Sequence, residues 1–150
     1  MEKANKKANI LFGCGGDRDK SKRISMGRIA NLKANKIYLT DDNPRYENPK
    51  KIRSEIKKNI IKSKLYEIPN RKKAIEKAIS QIKSNDILIV SGKGHENIQD
   101  FGKRKIFFSD RNIILNSIKI KNTSLSNNLK INILKENKEA KKISKKVKLN

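Results

Sequence analysis

Four short apolar runs, residues 8–12, 36–40, 64–68 and 86–90, alternate along the chain with stretches whose apolar side chains recur every three or four positions. The runs have the character of strands, and the recurrence is that of helices. Met26, Ile29 and Ala30 mark one face of a helix over residues 22–33. Ile52, Ile56 and Ile60 form a narrow stripe on a second helix, which Pro49 can open. Ala74, Ile75, Ala78, Ile79 and Ile82 make the buried face of a third, with Asn70 as its cap. Such alternation predicts an α/β fold with a mostly parallel sheet and helices on both faces. Residues 86–90 are apolar on both faces, which predicts a central strand. Residues 105–108 read as an edge strand, and Ser109 as the cap of a last helix over 110–118.

In parallel sheets of this kind, ligands bind in the loops that follow the carboxyl ends of the strands. The loops after the first, second and fourth runs are unusual. They hold Gly13-Cys14-Gly15-Gly16-Asp17-Arg18, Asp41-Asp42-Asn43-Pro44-Arg45 and Ser91-Gly92-Lys93-Gly94-His95-Glu96. The glycine corner is no phosphate loop. Asp19 stands before Lys20-Ser21 where a Walker pattern needs glycine, Arg18 stands where a dinucleotide fingerprint needs one, and the two acids repel phosphate. Arg18 reads as a carboxylate-binding fork or as a surface arginine, and both remain open. In the second loop Pro44 stiffens the chain, so that Asp42 could take an ammonium and Arg45 a carboxylate. An Asx turn with a solvated arginine is the alternative. His95 and Glu96 lack a second histidine at Gln99, so the zinc-protease pattern fails. Cys14 has no acid or histidine partner in its motif and reads as a small packed residue. No catalytic or metal-ligating set is predicted.

The formal charge is +23, with 35% of residues charged, 35% hydrophobic and only 5% aromatic. Clustered cations would suit nucleic acid. Yet the excess lies in lysine, and asparagine and isoleucine are abundant with it, the three residues whose codons are richest in A and T. A selected nucleic-acid surface favours arginine and aromatic platforms instead. Nucleic acid is therefore disfavoured as a partner, and a non-catalytic basic binding module or an inactive gene fragment stands as the alternative to an enzyme. A single cysteine excludes an internal disulfide and fits a reducing, cytoplasmic setting. No apolar stretch approaches the ~20 residues of a membrane span. The expected division is an N-terminal extension over 1–7, one domain over 8–118 and a basic, flexible or partly helical tail over 119–150.

Four segments in order, Phe12 to Lys20, Thr40 to Arg45, Ser91 to Glu96 and Ser109-Asp110-Arg111, resemble the Mur ligases of the third peptide step over about residues 8–118. The resemblance implies a Rossmann-like C-terminal domain of an ATP-dependent amide-forming ligase. In such a ligase a substrate carboxylate becomes an acyl phosphate that an amino acid's amine attacks, in peptidoglycan synthesis and hence in cell-wall biogenesis, cell shape and division. It implies that meso-diaminopimelate is held by Arg18, by Asp42, Asn43, Pro44 and Arg45, and by Gly92 and Glu96. Arg45 would meet the second carboxylate that lysine lacks. ATP and Mg would be bound mainly by domains not recognisable in this sequence, which would have to be supplied in trans. The Tyr-Ala-His-Thr-Pro segment of the family is absent before the first run, and Ile24-Ser25 stand where the family often has Pro-Leu.

Overall fold

The computed structural model describes residues 8–147, with side chains from Ala8 to Lys130. The expected extension over 1–7 lies outside the described residues. In chain order the elements are β1 (Asn9–Phe12), α1 (Ser21–Lys33), β2 (Ile37–Leu39), α2 (Pro49–Lys57), β3 (Leu65–Glu67), α3 (Arg71–Gln81), β4 (Leu88–Val90), β5 (Ile98–Asp100), β6 (Lys105–Phe107) and α4 (Asp110–Val147). The first four strands form one parallel sheet in the order β3-β2-β1-β4, with Ile10 opposite Ile37 and Ile89, and Tyr38 opposite Tyr66. The fold is thus the expected α/β arrangement.

Side-chain alternation in the central strands builds a core on each face. Phe12, Ile37 and Leu39 point to one side, where Ala30 of α1 and Ile52 and Ile56 of α2 meet them. Leu11 and Tyr38 point to the other, against Ala74, Ile75, Ala78 and Ile79 of α3 and Phe108. Each fully buried large aliphatic side chain contributes about 1.5–3 kcal/mol by leaving water. The helix starts are written in local chemistry. Asn48 Oδ1 accepts from Lys50 N at 2.9 Å with Pro49 in the first turn of α2, Asn70 Oδ1 accepts from Lys73 N at 2.9 Å, and Ser109 Oγ from Asn112 N at 3.4 Å.

Four expectations need correction. Residues 86–90 do not form a central strand. β4 is at the edge of the sheet and pairs only with β1, leaving Ile87 56% and Ile89 48% exposed. Residues 105–108 do not join that sheet either. β6 pairs antiparallel with β5, a strand too short and too polar to signal itself by pattern. In α1 the buried face is Arg23, Gly27 and Ala30, while Ile29 is 57% exposed. The cause is the close approach of α2: a Cβ on Gly27 would collide with the Ile56 carbonyl oxygen, so the contact line must run through the glycine. The last helix, finally, runs to Val147 rather than ending near Ile118, for no glycine or proline occurs after Gly102 to break it. The chain divides after Ser117 into two units, and the second, Ile118–Asn150, is helical through Val147.

Gly27→Ala is expected to destabilise the chain by about 1–3 kcal/mol, the range for overpacking, with α1 and α2 forced apart. Urea unfolding followed by circular dichroism measures this.

Candidate functional site

The carboxyl ends of β1, β2 and β4 bring the three unusual loops together, and backbone contact makes the first junction. Gly16 N donates to the Asn43 carbonyl oxygen at 2.8 Å, and a Cβ on Gly16 would strike the carbonyl oxygen of Pro44. Gly13 is packed in the same way on the Thr40 carbonyl. The glycines let two corners of main chain touch. The room a phosphate would need is taken by the second loop, and the corner ends in the exposed acids Asp17 and Asp19. The corner is therefore no phosphate cradle of the glycine-rich kind.

Arg23, on α1, secures this junction from below. Its side chain is fully buried, and it donates to Glu47 Oε1 at 2.9 Å, Glu47 Oε2 at 3.1 Å, Glu55 Oε2 at 2.8 Å and the Gly15 carbonyl at 3.4 Å. Glu47 also accepts the Asp17 N–H at 2.6 Å. These bonds, that from Arg23 first, hold the Glu47 carboxyl at about 2, well below its ordinary 4.5.

The second loop is clamped by the β5–β6 hairpin. Arg45 N donates to the Asp100 carbonyl at 3.0 Å, Asp100 N to Asn43 Oδ1 at 3.0 Å, and Gln99 Nε2 to the Asp42 carbonyl at 2.7 Å. Asn43 is therefore no simple Asx turn, because its side chain bonds across to distant elements. Arg45 sits in the left-handed region at φ 51°, a conformation that costs a side-chain-bearing residue about 1–2 kcal/mol and that recurs at functional sites. Its Nη1 donates to the Gly16 carbonyl at 2.7 Å, and no ion pair engages it among the described residues.

The third loop closes the group. Asn43 Nδ2 donates to Glu96 Oε2 at 2.9 Å, and that bond above all, with Lys93 and Arg45 nearby, lowers the Glu96 pKa. Gly92, at φ 120°, passes Asp42 so closely that a Cβ would lie 2.7 Å from Asp42 Oδ2. Arg18 is exposed at the same rim. The position a Cβ would take on Gly15 is 3.0 Å from Arg45 Nη1 and 3.7 Å from Arg18 Cγ, so the two arginines flank one glycine. Arg18, Asp42, Asn43, Pro44, Arg45, Gly92 and Glu96 thus lie at one end of the sheet.

The family pattern described as Mur ligase, glutamate ligase domain, matches residues 1–94. The chain belongs to the Mur ligase family. It is 50% identical over 114 residues to a UDP-N-acetylmuramoyl-L-alanyl-D-glutamate–2,6-diaminopimelate ligase of Rickettsia rickettsii, covering 76% of this chain and 24% of that protein. The ligase of the same name from Helicobacter pylori (strain J99) is 49% identical over 111 residues, covering 73% and 25%. A solved structure of a UDP-N-acetylmuramoyl-L-alanyl-D-glutamate–2,6-diaminopimelate ligase superposes with a TM-score of 0.72 at 37% identity, over 77% of this chain and 24% of that one. The chain spans about a quarter of the length of the relatives it matches.

Lys93, Gln99, Asp100 and the Arg23–Glu47 pair order the loops of this Mur ligase domain without being expected from the sequence. Lys93 carried a signal, a lone cation between two glycines in one of the three unusual loops. Gln99 carried none. Cys14 is half-buried beside the α1–α2 core, a packed residue as expected, and His95 is exposed.

Glu47 is depressed in the folded state, so its contribution to stability is present above the unfolded value of 4.5 and is lost as pH falls toward 2. The chain is expected to lose stability across that window, and Glu47→Gln to flatten this limb of the profile. Thermal unfolding at a series of pH values checks it.

Proposed function

We propose that residues 8–118 are the amino-acid-binding domain of an ATP-dependent ligase that adds meso-diaminopimelate to UDP-N-acetylmuramoyl-L-alanyl-D-glutamate, with 119–150 a basic extension. The observation that carries this reading is the convergence of Arg18, Arg45 and Glu96 around the Asn43 turn, two cations and an acid from three separate loops. Diaminopimelate is a match for such a rim, for it has an amine and a carboxylate at each end. Arg18 takes one carboxylate. Arg45 takes the distal carboxylate in bidentate fashion, and Glu96 and the Asp42–Gly92 contact grip the distal ammonium. Lysine would leave Arg45 without its partner and bring a like charge toward it, which is how the site selects against it.

The domain contributes position. Held at its distal end, the amino acid presents its other amine to an activated carboxylate on the remainder of the ligase, and orientation of this kind removes several kcal/mol of entropic barrier. ATP, with Mg, supplies the activation, and among the described residues no cluster of acids, histidine or cysteine is grouped to hold a metal. The partners are meso-diaminopimelate and the remainder of the Mur ligase, which carries the ATP-dependent activation. The process served is peptidoglycan synthesis, with cell-wall biogenesis, cell shape and division downstream, and the setting is the cytoplasm. No helix among the described residues is long and apolar enough to cross a membrane.

Titration calorimetry tests the site. Arg45→Ala is expected to weaken meso-diaminopimelate binding by about tenfold or more, about 1.4 kcal/mol, and to leave lysine binding no weaker. Equal diaminopimelate affinity for parent and variant overturns the assignment. A ligase assay with the UDP-binding and ATPase domains made separately is expected to give product only when this chain is added.

A further inference from the structure

Lys93 is the one buried lysine among the described residues, and its side chain is fully enclosed. An ammonium has three N–H groups to give. One goes to Asn43 Oδ1 at 2.6 Å and one to the Ile98 carbonyl at 2.7 Å. The third faces two carboxylates at once, Asp42 Oδ1 at 3.4 Å and Glu96 Oε2 at 3.6 Å. One donor cannot satisfy both, so the pair of acids is held together yet left short of one cationic donor. Lys93 also determines which way the Asn43 amide points. With Oδ1 taken by Lys93 and by Asp100 N, Nδ2 must face Glu96.

The charge balance follows from these groups. Asp42 and Glu96 are negative, and Lys93 and Arg45 are positive, so the distal end of the site is neutral. The neighbouring charges are matched among themselves: Arg71 with Asp110 at 2.6 Å, Asp100 with Lys105 at 4.0 Å, and Arg53 and Lys57 with Asp41 and Glu67. A neutral pocket with separated acid and guanidinium suits a head group that is itself neutral overall, an ammonium beside a carboxylate. Without the buried ammonium, the same pocket would be net negative and would favour a plain ammonium.

We propose that Lys93 is a specificity-determining positioning residue: a buried counter-ion that, together with Arg45, balances the Asp42–Glu96 pair, orients Asn43, and so biases the site toward a zwitterionic rather than a cationic head group. The inference rests on the proposed function, and it adds to Arg45 a second determinant that never touches the ligand. Selectivity here arises as much from the penalty on the wrong charge as from attraction of the right one.

The test is competition calorimetry of meso-diaminopimelate against L-lysine on the full chain at fixed low salt, with parent, Arg45→Ala, Lys93→Met, Lys93→Arg and Glu96→Gln. Lys93→Met is expected to lower the diaminopimelate-to-lysine affinity ratio by about tenfold or more, mainly by improving lysine, and Lys93→Arg to keep the parental ratio. Glu96→Gln, at a half-exposed side chain, makes the pocket positive and is expected to raise the ratio. It carries the test where circular dichroism shows Lys93→Met unfolded. An unchanged ratio in folded Lys93→Met, or a ratio in Glu96→Gln that stays level or moves toward lysine, overturns the inference while Arg45→Ala still supports the function. A parent that binds neither ligand, or an Arg45→Ala variant that binds diaminopimelate as the parent does, overturns the function itself.

Discussion

The site depends on one contact between two stretches of main chain. The corner after β1 and the turn after β2 meet where Gly13 and Gly16 have no Cβ, and the Gly16 N–H bonds the Asn43 carbonyl at 2.8 Å. Any side chain at either glycine would force the corners apart. Arg45 could then no longer reach the Gly16 carbonyl, and the rim would open between the two arginines. Parallel pairing of β1 with β2 delivers both corners to the same edge, and the glycines convert adjacency into contact. This explains why a glycine-rich loop after a strand is no evidence of phosphate binding here. The same absence of side chains that can cradle a pyrophosphate is used to admit a neighbouring backbone.

Around that contact the molecule places cations under the acids it needs to hold. Arg23 gathers Glu47 and Glu55, Arg53 gathers Asp41 and Glu67, Arg71 grips Asp110 with two nitrogens, and Lys93 faces Asp42 and Glu96. Each is buried, so each pair must offset a desolvation cost that surface pairs escape. Their value lies in direction more than in energy. A planar guanidinium with several fixed donors dictates where its carboxylates sit, and three of the four positions use arginine. Lysine is used at the fourth, where one charge faces an amide oxygen, a carbonyl and two acids.

The architecture was legible because apolar spacing carries it. The stripe at Ile52, Ile56 and Ile60 and the face at Ala74, Ile75, Ala78 and Ile79 are buried as their periods imply, and the caps at Asn70 and Ser109 are used. Where polar residues set the packing, periodicity misleads. In α1 the line of contact runs through Arg23 and Gly27, so Ile29 of the apparent face lies in the open. β4 misleads for another reason. A run apolar on both faces looks central, but centrality is a property of pairing, and β4 has one partner. The convergence of the three loops was legible from topology, since they follow parallel strands. The clamp that orders the second loop was not. It comes from Gln99 and Asp100 on a short polar strand, through one side-chain amide and backbone groups that any residue possesses.

The net charge of +23 can now be set against what the structure does with cations. Lys93 apart, the lysines with described side chains are exposed or half-buried, whereas three arginines are buried among acids. Lysine is abundant where position hardly matters, and arginine is placed where geometry does. That division is what a compositional drift toward lysine would leave behind on surfaces, while the network within stays intact. It also separates two consequences of charge that a sum conflates. The surface excess governs solubility and non-specific attraction and is weakened by salt within a Debye length of about 10 Å at 0.1 M. The buried cations act at contact distances, out of reach of that screening, and they fix the acids and loops around the rim.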